Sequence, residues 1–528
     1  MATNRFINVN GGEWNTAANW LLDDDGTTAR VPLATDDVVI TASLNAGQTI
    51  TITTTAASAK SIDFSTAGNA FSLSGTVTQL LSVSGSATLK AGMTWSPDYN
   101  TYFNISDTGN LDTNGVKINS RVRCNASGKT VTLINNNLAA FNLSVYGGAT
   151  LVTNNLNITL DQTFGDGTVT GNATLTLGSS TINCTNVNFA AATLTVSDNT
   201  ATINVTSTAD ITSHLGGVAW GTGGDTSFVY VMTVAKSVTI NGANTIGSLN
   251  VSWTSIGHQS DQLMLGADQT ISGTLTVTGF ATFAHPLVRS AIVGTQRTIT
   301  AGTVTITNSV DFQDIRGAGA GDWDLSGQAS GDCGGNFVDS PKLRAATTYY
   351  GVGPTGNFSY NRWSVADDTS ADGTAVFPLP QDIAKFTNTG VTATAVVTVD
   401  MIRCCAIDTE GLTDAMTLVL SAGQYYGDLI LTGTNLTVTS TGVTLTIDPR
   451  VRYENYGGVA DTLDINSSIA IGSGSVAVGK YEGQVGTVRL LTNNLTHTGT
   501  FTLAYGTFDL NGLTLSTGIF SSSNANTR

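Results

Sequence analysis

The sequence has few charged residues and very few basic ones. Asp, Glu, Lys and Arg make up 11% of its 528 residues, and 22 Lys and Arg stand against 38 Asp and Glu, which gives a net charge of −16. Binding to nucleic acid or to an anionic membrane requires clustered basic side chains. The composition therefore argues against both partners and favours a soluble acidic surface or one that attracts divalent cations.

Proline, cysteine and long apolar runs are also scarce. The 8 prolines and 58 glycines form neither a collagen period nor a proline-rich linker. Five cysteines are too few for a disulfide scaffold, and the neighbours Cys404 and Cys405 would bridge only with strain, so we predict buried free thiols and folding in a reducing compartment. Without a run of 18 apolar residues or a signal-peptide pattern, we expect no membrane insertion and no classical secretion.

Short alternating segments take the place of helical patterns. In residues 49–52, 131–134 and 436–438, apolar residues alternate with threonine, and Ser-Gly, Asn-Gly or Asn-Asn turns separate such segments. Many short strands over hundreds of residues, with Thr, Ser and Asn outward, predict an all-β fold made of elongated β-solenoid or β-helix-like repeat arrays. A chain of tandem β-sandwich domains is the alternative, because the sequence does not fix a repeat period.

A longer motif occurs twice. Each copy combines two aromatic residues, a Pro-Leu pair, and an Asp four residues after the proline. The positions are Trp14, Trp20, Pro32 and Asp36 in the first copy, and Phe358, Trp363, Pro378 and Asp382 in the second. An open solenoid end exposes unpaired backbone groups and apolar core, and large aromatic side chains can cover it. We interpret both copies as structural caps, with aromatic corners inside one domain as the alternative.

The caps predict how the chain is organised. The predicted segments are an N-terminal aromatic cap at 1–48, a first β-repeat array at 49–310, a Gly/Asp-rich junction at 311–343, a second aromatic cap at 344–394, and a second β-repeat array at 395–528. The second array looks incomplete, because no closing cap follows its last strands. We therefore expect either a longer polypeptide or a partner that covers this end.

The sequence carries no recognisable catalytic motif. It has no nucleophile elbow, P-loop or C-x-x-C motif, and His214, His258, His285 and His497 do not share metal-ligand spacing. We therefore predict that the chain is not an enzyme and needs no cofactor.

Paired carboxylates are candidate catalytic groups, because glycosidases use two carboxyl groups for hydrolysis. The candidate groups are Asp23 to Asp25, Asp311 with Asp314, Asp322 with Asp324, and Asp367 with Asp368. We expect these acids mainly to stabilise turns. In the Gly-rich junction, Asp322, Asp324 and Asp332 are also candidate Ca²⁺ ligands, although no D-x-D-x-D-G loop is present.

Three segments resemble known phage proteins. The block from Gly11 to Ile40, the junction Asp332 to Asn336, and residues 507–515 resemble repetitive β-rich structural and tail-fibre-like proteins of tailed bacteriophages. Similar cap motifs occur in large bacterial adhesins. The resemblance implies a virion structural protein, a fibre, spike or appendage subunit that forms a stiff rod and attaches to a host surface.

The same resemblance sets the expected partners and location. It implies a homo-oligomer, for which a trimer suits a fibre, together with other virion proteins and a cell-surface glycan. We expect a protein that is made in the host cytoplasm without a signal peptide and ends up in the virion. A bacterial surface adhesin, located outside the cell, and a glycan-depolymerising tailspike are the alternatives.

Overall fold

The fold was obtained as a computed structural model. It describes residues 2–23, 26–53, 56–167, 171–190, 192–197, 200–221, 224–233, 236–254, 261–279, 285–337, 339–353, 355–359, 362–372, 377–392, 394–421, 423–440, 443–447, 451–454, 457–460, 462–471, 474–479 and 486–522.

The chain is a parallel β-solenoid of about 18 turns, with 52% of its residues in strands. This confirms the predicted fold class over the sandwich alternative. The described residues contain two short 3₁₀ helices, Ala17–Asn19 and Phe64–Thr66. Parallel strand partners mostly lie 20 to 25 residues apart, as in Val131–Leu151 and Ile62–Ala87, but the separation is 18 residues for Arg297–Ile315 and 36 for Leu429–Ile465. The variable length of the turns explains why no period is evident from the sequence.

The backbone contacts divide the chain into two compact units. The first comprises Met1–Val231, Ile240–Asn250 and Thr270–Thr274, and the second comprises Met232–Thr239, Val251–Gln269 and Leu275–Arg528.

The first unit contains a ten-stranded sheet and a second series of mostly parallel strands. The strands of the ten-stranded sheet are Thr3–Phe6, Trp20–Leu22, Asp37–Ile40, Ser61–Asp63, Ala87–Thr88, Gly109–Asp112, Thr130–Leu133, Ala149–Val152, Gly171–Thr176 and Ala192–Val196. Those of the second series are Gly12–Glu13, Thr49–Ile52, Ala57–Ala59, Ser72–Gly75, Leu81–Val83, Thr94–Trp95, Tyr102–Ile105, Lys117–Asn125, Leu138–Tyr146, Ile158–Leu160, Thr163–Gly165, Thr181–Cys184, Asn186–Asn188, Thr202–Ser207, Ile211–His214 and Asn244–Ile246.

Four strands contain residues of both units. All of the remaining strands belong to the second unit. The four are Ser227–Met232, Ser237–Asn241, Ser248–Trp253 and Gln269–Thr278. The first strands of the second unit are Gln262–Leu265, Leu287–Ser290, Arg297–Thr307, Asp311–Gln313 and Ile315–Ala318.

Three further sheets and a hairpin complete the second unit. The eight-stranded sheet contains Thr348–Gly351, Trp363–Ser364, Ile383–Lys385, Ala406–Asp408, Leu429–Leu431, Thr462–Ser467, Thr487–Leu490 and Thr507–Asp509. The four-stranded sheet contains Thr355–Asn357, Ala395–Val399, Met416–Leu420 and Leu436–Thr439. The six-stranded sheet contains Arg403–Cys404, Gly423–Tyr425, Thr444–Ile447, Ser475–Val478, Leu495–Leu503 and Leu515–Ser521. The antiparallel hairpin pairs Val451–Glu454 with Gly457–Ala460.

The core is built from ladders of equivalent inward-facing side chains. Val38, Ile62, Ala87 and Leu111 are consecutive partners in the ten-stranded sheet, and all four are buried. The strand Thr49–Ile52 alternates half-buried threonine with buried isoleucine, as its sequence predicts. Stacking of like positions lets each turn bury the apolar face of the next, so the array needs no separate core element.

The five cysteines are free and buried, which confirms the prediction from their number and spacing. Burial raises the pKa of Cys124 and of Cys184 to about 12. These two thiols are therefore protonated at neutral pH and unreactive. No helix in the described part of the chain is long and apolar enough to cross a membrane.

Candidate functional site

The first aromatic block forms the edge of the ten-stranded sheet. Thr3–Phe6 pairs antiparallel with Trp20–Leu22 and parallel with Asp37–Ile40. Trp14 and Trp20 are fully buried, with ring centroids 4.6 Å apart, and the indole N–H of Trp20 donates to the Trp14 carbonyl at 2.6 Å. The block therefore places an antiparallel edge strand over a packed aromatic pair, and its role as a cap stays a prediction.

The second aromatic block has the same arrangement. Thr348–Gly351 pairs antiparallel with Trp363–Ser364 and parallel with Ile383–Lys385. Phe358 and Trp363 are fully buried with centroids 4.6 Å apart, and the Trp363 N–H donates to the Phe358 carbonyl at 2.7 Å. In the first copy, the Trp14 indole nitrogen is buried without a hydrogen-bond partner. A phenylalanine at this position therefore sacrifices no hydrogen bond, which accounts for Phe358.

The two aspartates of the duplicated motif also have matching roles. Asp36 accepts a hydrogen bond from the Leu33 N–H at 2.8 Å and pairs with Arg30. Asp382 accepts one from the Leu379 N–H at 2.7 Å and pairs with Arg344. Burial raises the pKa of Asp382 despite the opposing effect of Arg344. The leucines whose N–H groups donate to these carboxylates directly follow Pro32 and Pro378, so each motif fixes a turn before the next parallel strand.

The carboxylates of the candidate Ca²⁺ ligands accept hydrogen bonds from backbone N–H groups two residues further along the chain. The Asp322 carboxylate accepts the Asp324 N–H at 2.9 Å, and Asp324 accepts the Ser326 N–H and pairs with Lys342 at 2.6 Å. Asp332 accepts the Gly334 N–H at 2.7 Å. Within the described ranges, no group of three or more His, Cys, Asp or Glu is placed to hold a metal ion. Of the other candidates, Asp24, Asp25 and His258 lie outside the described residues.

A groove of about 630 Å³ opens on the surface of the first unit. Its lining includes Tyr99, Arg121, Phe141, Asp166, Asn188 and His214. Strand register arranges the outward residues in columns: Arg121 is opposite Asn142, and Gly165, Asn188 and His214 follow one another on successive turns. Because neighbouring parallel strands lie about 4.8 Å apart, the groove runs along a ladder of closely spaced polar groups.

Two glycines shape the floor of the groove. Gly165 has a φ of +97°, and a Cβ there would lie 2.3 Å from the Asn188 carbonyl oxygen. A Cβ at Gly167 would lie 2.5 Å from the Asn188 side-chain amide. Side chains at either position would displace Asn188, so glycine is needed for this close packing.

One end of the groove combines an aromatic ring with a cation. The Tyr99 side chain is 53% exposed and packs against Phe141 with centroids 5.4 Å apart. Arg121 Nε donates to the Tyr99 carbonyl at 3.1 Å. The second arginine of the strand, Arg123, pairs with Asp166 at 3.6 Å and lies over the Tyr102 ring.

A separate ionic cluster is buried in the second unit. His285 Nδ1 donates to Asp311 at 2.7 Å, and Arg403 Nε donates to the other oxygen of Asp311 at 2.7 Å. Arg403 also donates to the His285 carbonyl, and the Gly331 N–H donates to Asp311 at 3.0 Å. The exposed fractions of His285, Asp311 and Arg403 are 2%, 3% and 4%, so the cluster connects residues 285–311 with the strand Arg403–Cys404 away from solvent.

The charges in this cluster compensate one another. Burial alone would raise the pKa of Asp311, but His285 and Arg403 hold it well below its ordinary value. The fully buried side chains of Cys333 and Tyr426 lie near Arg403. Its geometry is that of a structural ion-pair network without access for a substrate.

Asp261 gives the second unit a pH-dependent stability. Its side chain is buried, its Oδ2 has no hydrogen-bond partner, and desolvation raises its pKa to about 7, against about 3.9 in an unfolded chain. Between these values only the folded state holds the proton, so this group's contribution to stability is present at low pH and lost as pH rises towards 7. We expect Asp261→Asn to be more stable than the wild type by roughly 1–3 kcal/mol at pH 8 and about equal at pH 4.

Urea unfolding at both pH values checks this prediction. The exposed Asp268→Asn serves as the control for loss of one charge and should show no such pH-dependent difference. An equal effect of Asp261→Asn at pH 4 and pH 8 would contradict it.

No family model, curated protein or solved structure matches this chain. Neither the groove nor the ionic cluster was predicted from the sequence. The available signal for the groove is Arg121-Val122-Arg123, which places two of only 22 basic residues on the same outward face of one strand.

Proposed function

We propose that this protein is a virion structural protein of a tailed phage, a fibre, spike or appendage subunit that also attaches to a surface glycan. The observation that carries the proposal is the polar groove on the β-solenoid turns of the first unit, with an exposed Tyr99 beside Arg121. The fold is compatible with fibre and spike proteins. The resemblance of the caps and the junction to phage proteins supports the same class.

The fold suggests a mechanical role. Each turn pairs its backbone N–H and C=O groups with those of neighbouring turns, so bending the array requires many hydrogen bonds to distort together. Outward threonine, serine and asparagine side chains supply polar groups at regular intervals. Repeated weak contacts from such a surface can add up to firm attachment when several copies are held together.

Particle composition tests the structural part of this proposal. We expect mass spectrometry of purified virions to detect the chain at a fixed copy number, and antibody labelling to locate it on an external appendage. Light scattering of the purified protein should give a homo-oligomer, for which a trimer is expected. Its presence on the surface of uninfected bacteria and its absence from particles would instead identify an adhesin.

The groove supports binding rather than hydrolysis. Among the described residues that line it, Asp166 is the one carboxylate, whereas glycosidases use two. We expect capsular polysaccharide to keep its viscosity during incubation with the protein. A fall in viscosity with release of reducing ends would instead favour the depolymerising tailspike.

A further inference from the structure

Building on the proposed glycan attachment, we infer that the groove of the first unit binds an acidic saccharide. The sugar carboxylate pairs with Arg121, and the adjoining pyranose ring lies on Tyr99.

The charges that line the groove favour an anionic ligand. Asp166 is neutralised by Arg123, 3.6 Å away. Arg121 has no carboxylate partner among the described residues; its guanidinium lies 5.7 Å from the centroid of the Tyr102 ring, and its side chain's one hydrogen bond to a described residue uses Nε. Its two terminal nitrogens are therefore available, in the fork geometry that matches a carboxylate. An uncompensated guanidinium is notable on a protein whose net charge is −16.

The ring beside this cation points to a sugar. Tyr99 is half exposed and is supported from one side by Phe141, so it presents a fixed apolar surface at the groove. Because Arg121 Nε is bonded to the Tyr99 carbonyl, the cation and the ring have a fixed relative position. A ligand that has a carboxylate next to an apolar C–H face, as a uronic acid does, can use both groups at once.

The rest of the lining suits hydroxyl groups. Asn142, Gln162, Thr163 and Asn188 supply amide and hydroxyl groups, each able to donate and accept hydrogen bonds. Their placement on successive turns gives a row of such groups beyond the Arg121 end. This row matches an extended oligosaccharide better than a compact apolar ligand, which requires an enclosed apolar pocket.

Calorimetry with a matched pair of ligands tests the inference. The probes are an oligogalacturonate and the same oligomer with its carboxylates reduced to alcohols. The proteins are the wild type, Arg121→Gln, Tyr99→Ala, and Arg5→Gln as a control that removes one exposed charge elsewhere in the first unit. We expect the wild type and Arg5→Gln to bind the acidic oligomer equally, and Arg121→Gln at least tenfold more weakly. Tyr99→Ala should weaken both oligomers, and thermal unfolding should show all variants folded.

The outcomes separate this inference from the proposed function. Equal affinity of the wild type for the acidic and reduced oligomers, or no effect of Arg121→Gln, would overturn the acidic-sugar inference while leaving glycan attachment in place. Binding of neither oligomer, together with no signal on an array of acidic and neutral glycans, would overturn both. A loss of affinity at high salt in the wild type but not in Arg121→Gln would support the ion pair.

Discussion

Replacement of Arg403 by methionine is expected to lower the free energy of unfolding of the second unit by about 3–5 kcal/mol. Arg403 donates to Asp311 and to the His285 carbonyl in a site that excludes solvent. Methionine fills much of the same volume but leaves the Asp311 carboxylate with one fewer charge partner. A buried carboxylate that loses its cation is among the most destabilising changes a single substitution can make.

Two further variants distinguish charge compensation from loss of packing. Arg403→Met combined with Asp311→Asn removes both charges, so we expect it to recover much of the lost stability. Arg489→Met, which breaks the more exposed pair with Asp464, should cost far less stability than Arg403→Met, because solvent screens that pair. A double variant as unstable as Arg403→Met would show that the buried charge is not the cause.

The measurement should resolve local from global unfolding. Repeat arrays do not always unfold in one cooperative step, so a single midpoint is insufficient. Hydrogen exchange followed by mass spectrometry reports on the strands Leu287–Ser290, Asp311–Gln313 and Arg403–Cys404 separately. We expect Arg403→Met to reduce protection in all three strands, because the cluster joins them.

The sequence was sufficient to predict the solenoid, since this fold depends on local patterns. Alternation at period two identified strands such as Thr49–Ile52, and turn residues separated them. The duplicated aromatic motif was also visible, because Trp, Pro and Asp recur at similar spacing. The hydrogen bonds of this motif also join residues that are close in sequence. The Leu33 N–H donates to Asp36, and the Trp20 indole N–H donates to the Trp14 carbonyl.

The groove and the ionic cluster could not be predicted from local patterns, because each depends on how solenoid turns of unequal length align with one another. Arg121 and Asn188 are 67 residues apart, and they line one groove only because the intervening turns stack in a particular register. Asp311 and Arg403 are 92 residues apart. Isolated charged residues in an acidic chain give no indication of these pairings. Of the paired acids considered for chemistry, Asp322 and Asp324 accept backbone hydrogen bonds within their own turns, whereas Asp311 belongs to the buried ionic cluster.

The first aromatic block gives the second large effect: we expect Trp20→Ala to lower the free energy of unfolding by about 3–5 kcal/mol. Trp20 is fully buried against Phe6 and Trp14, with ring centroids 5.0 and 4.6 Å away. Its removal leaves a cavity under the edge strand Trp20–Leu22. Because turns in a solenoid interact mainly with their neighbours, we expect hydrogen exchange to rise in Asp37–Ile40 and not in Thr202–Ser207.

Trp20 and Trp14 supply a matched pair of variants for the first aromatic block, because only the Trp20 indole N–H has a hydrogen-bond partner. Trp20→Phe removes an N–H that donates to the Trp14 carbonyl and leaves that carbonyl without this donor, whereas Trp14→Phe removes an N–H that has no partner. We therefore expect Trp20→Phe to be less stable than Trp14→Phe by about 1–2 kcal/mol in urea unfolding. Equal stabilities would mean that the hydrogen bond contributes nothing and that the aromatic pair holds the edge by packing alone. Because the second copy has Phe358 at the equivalent of Trp14, a near-neutral Trp14→Phe would show that phenylalanine serves equally well at this position in both aromatic blocks.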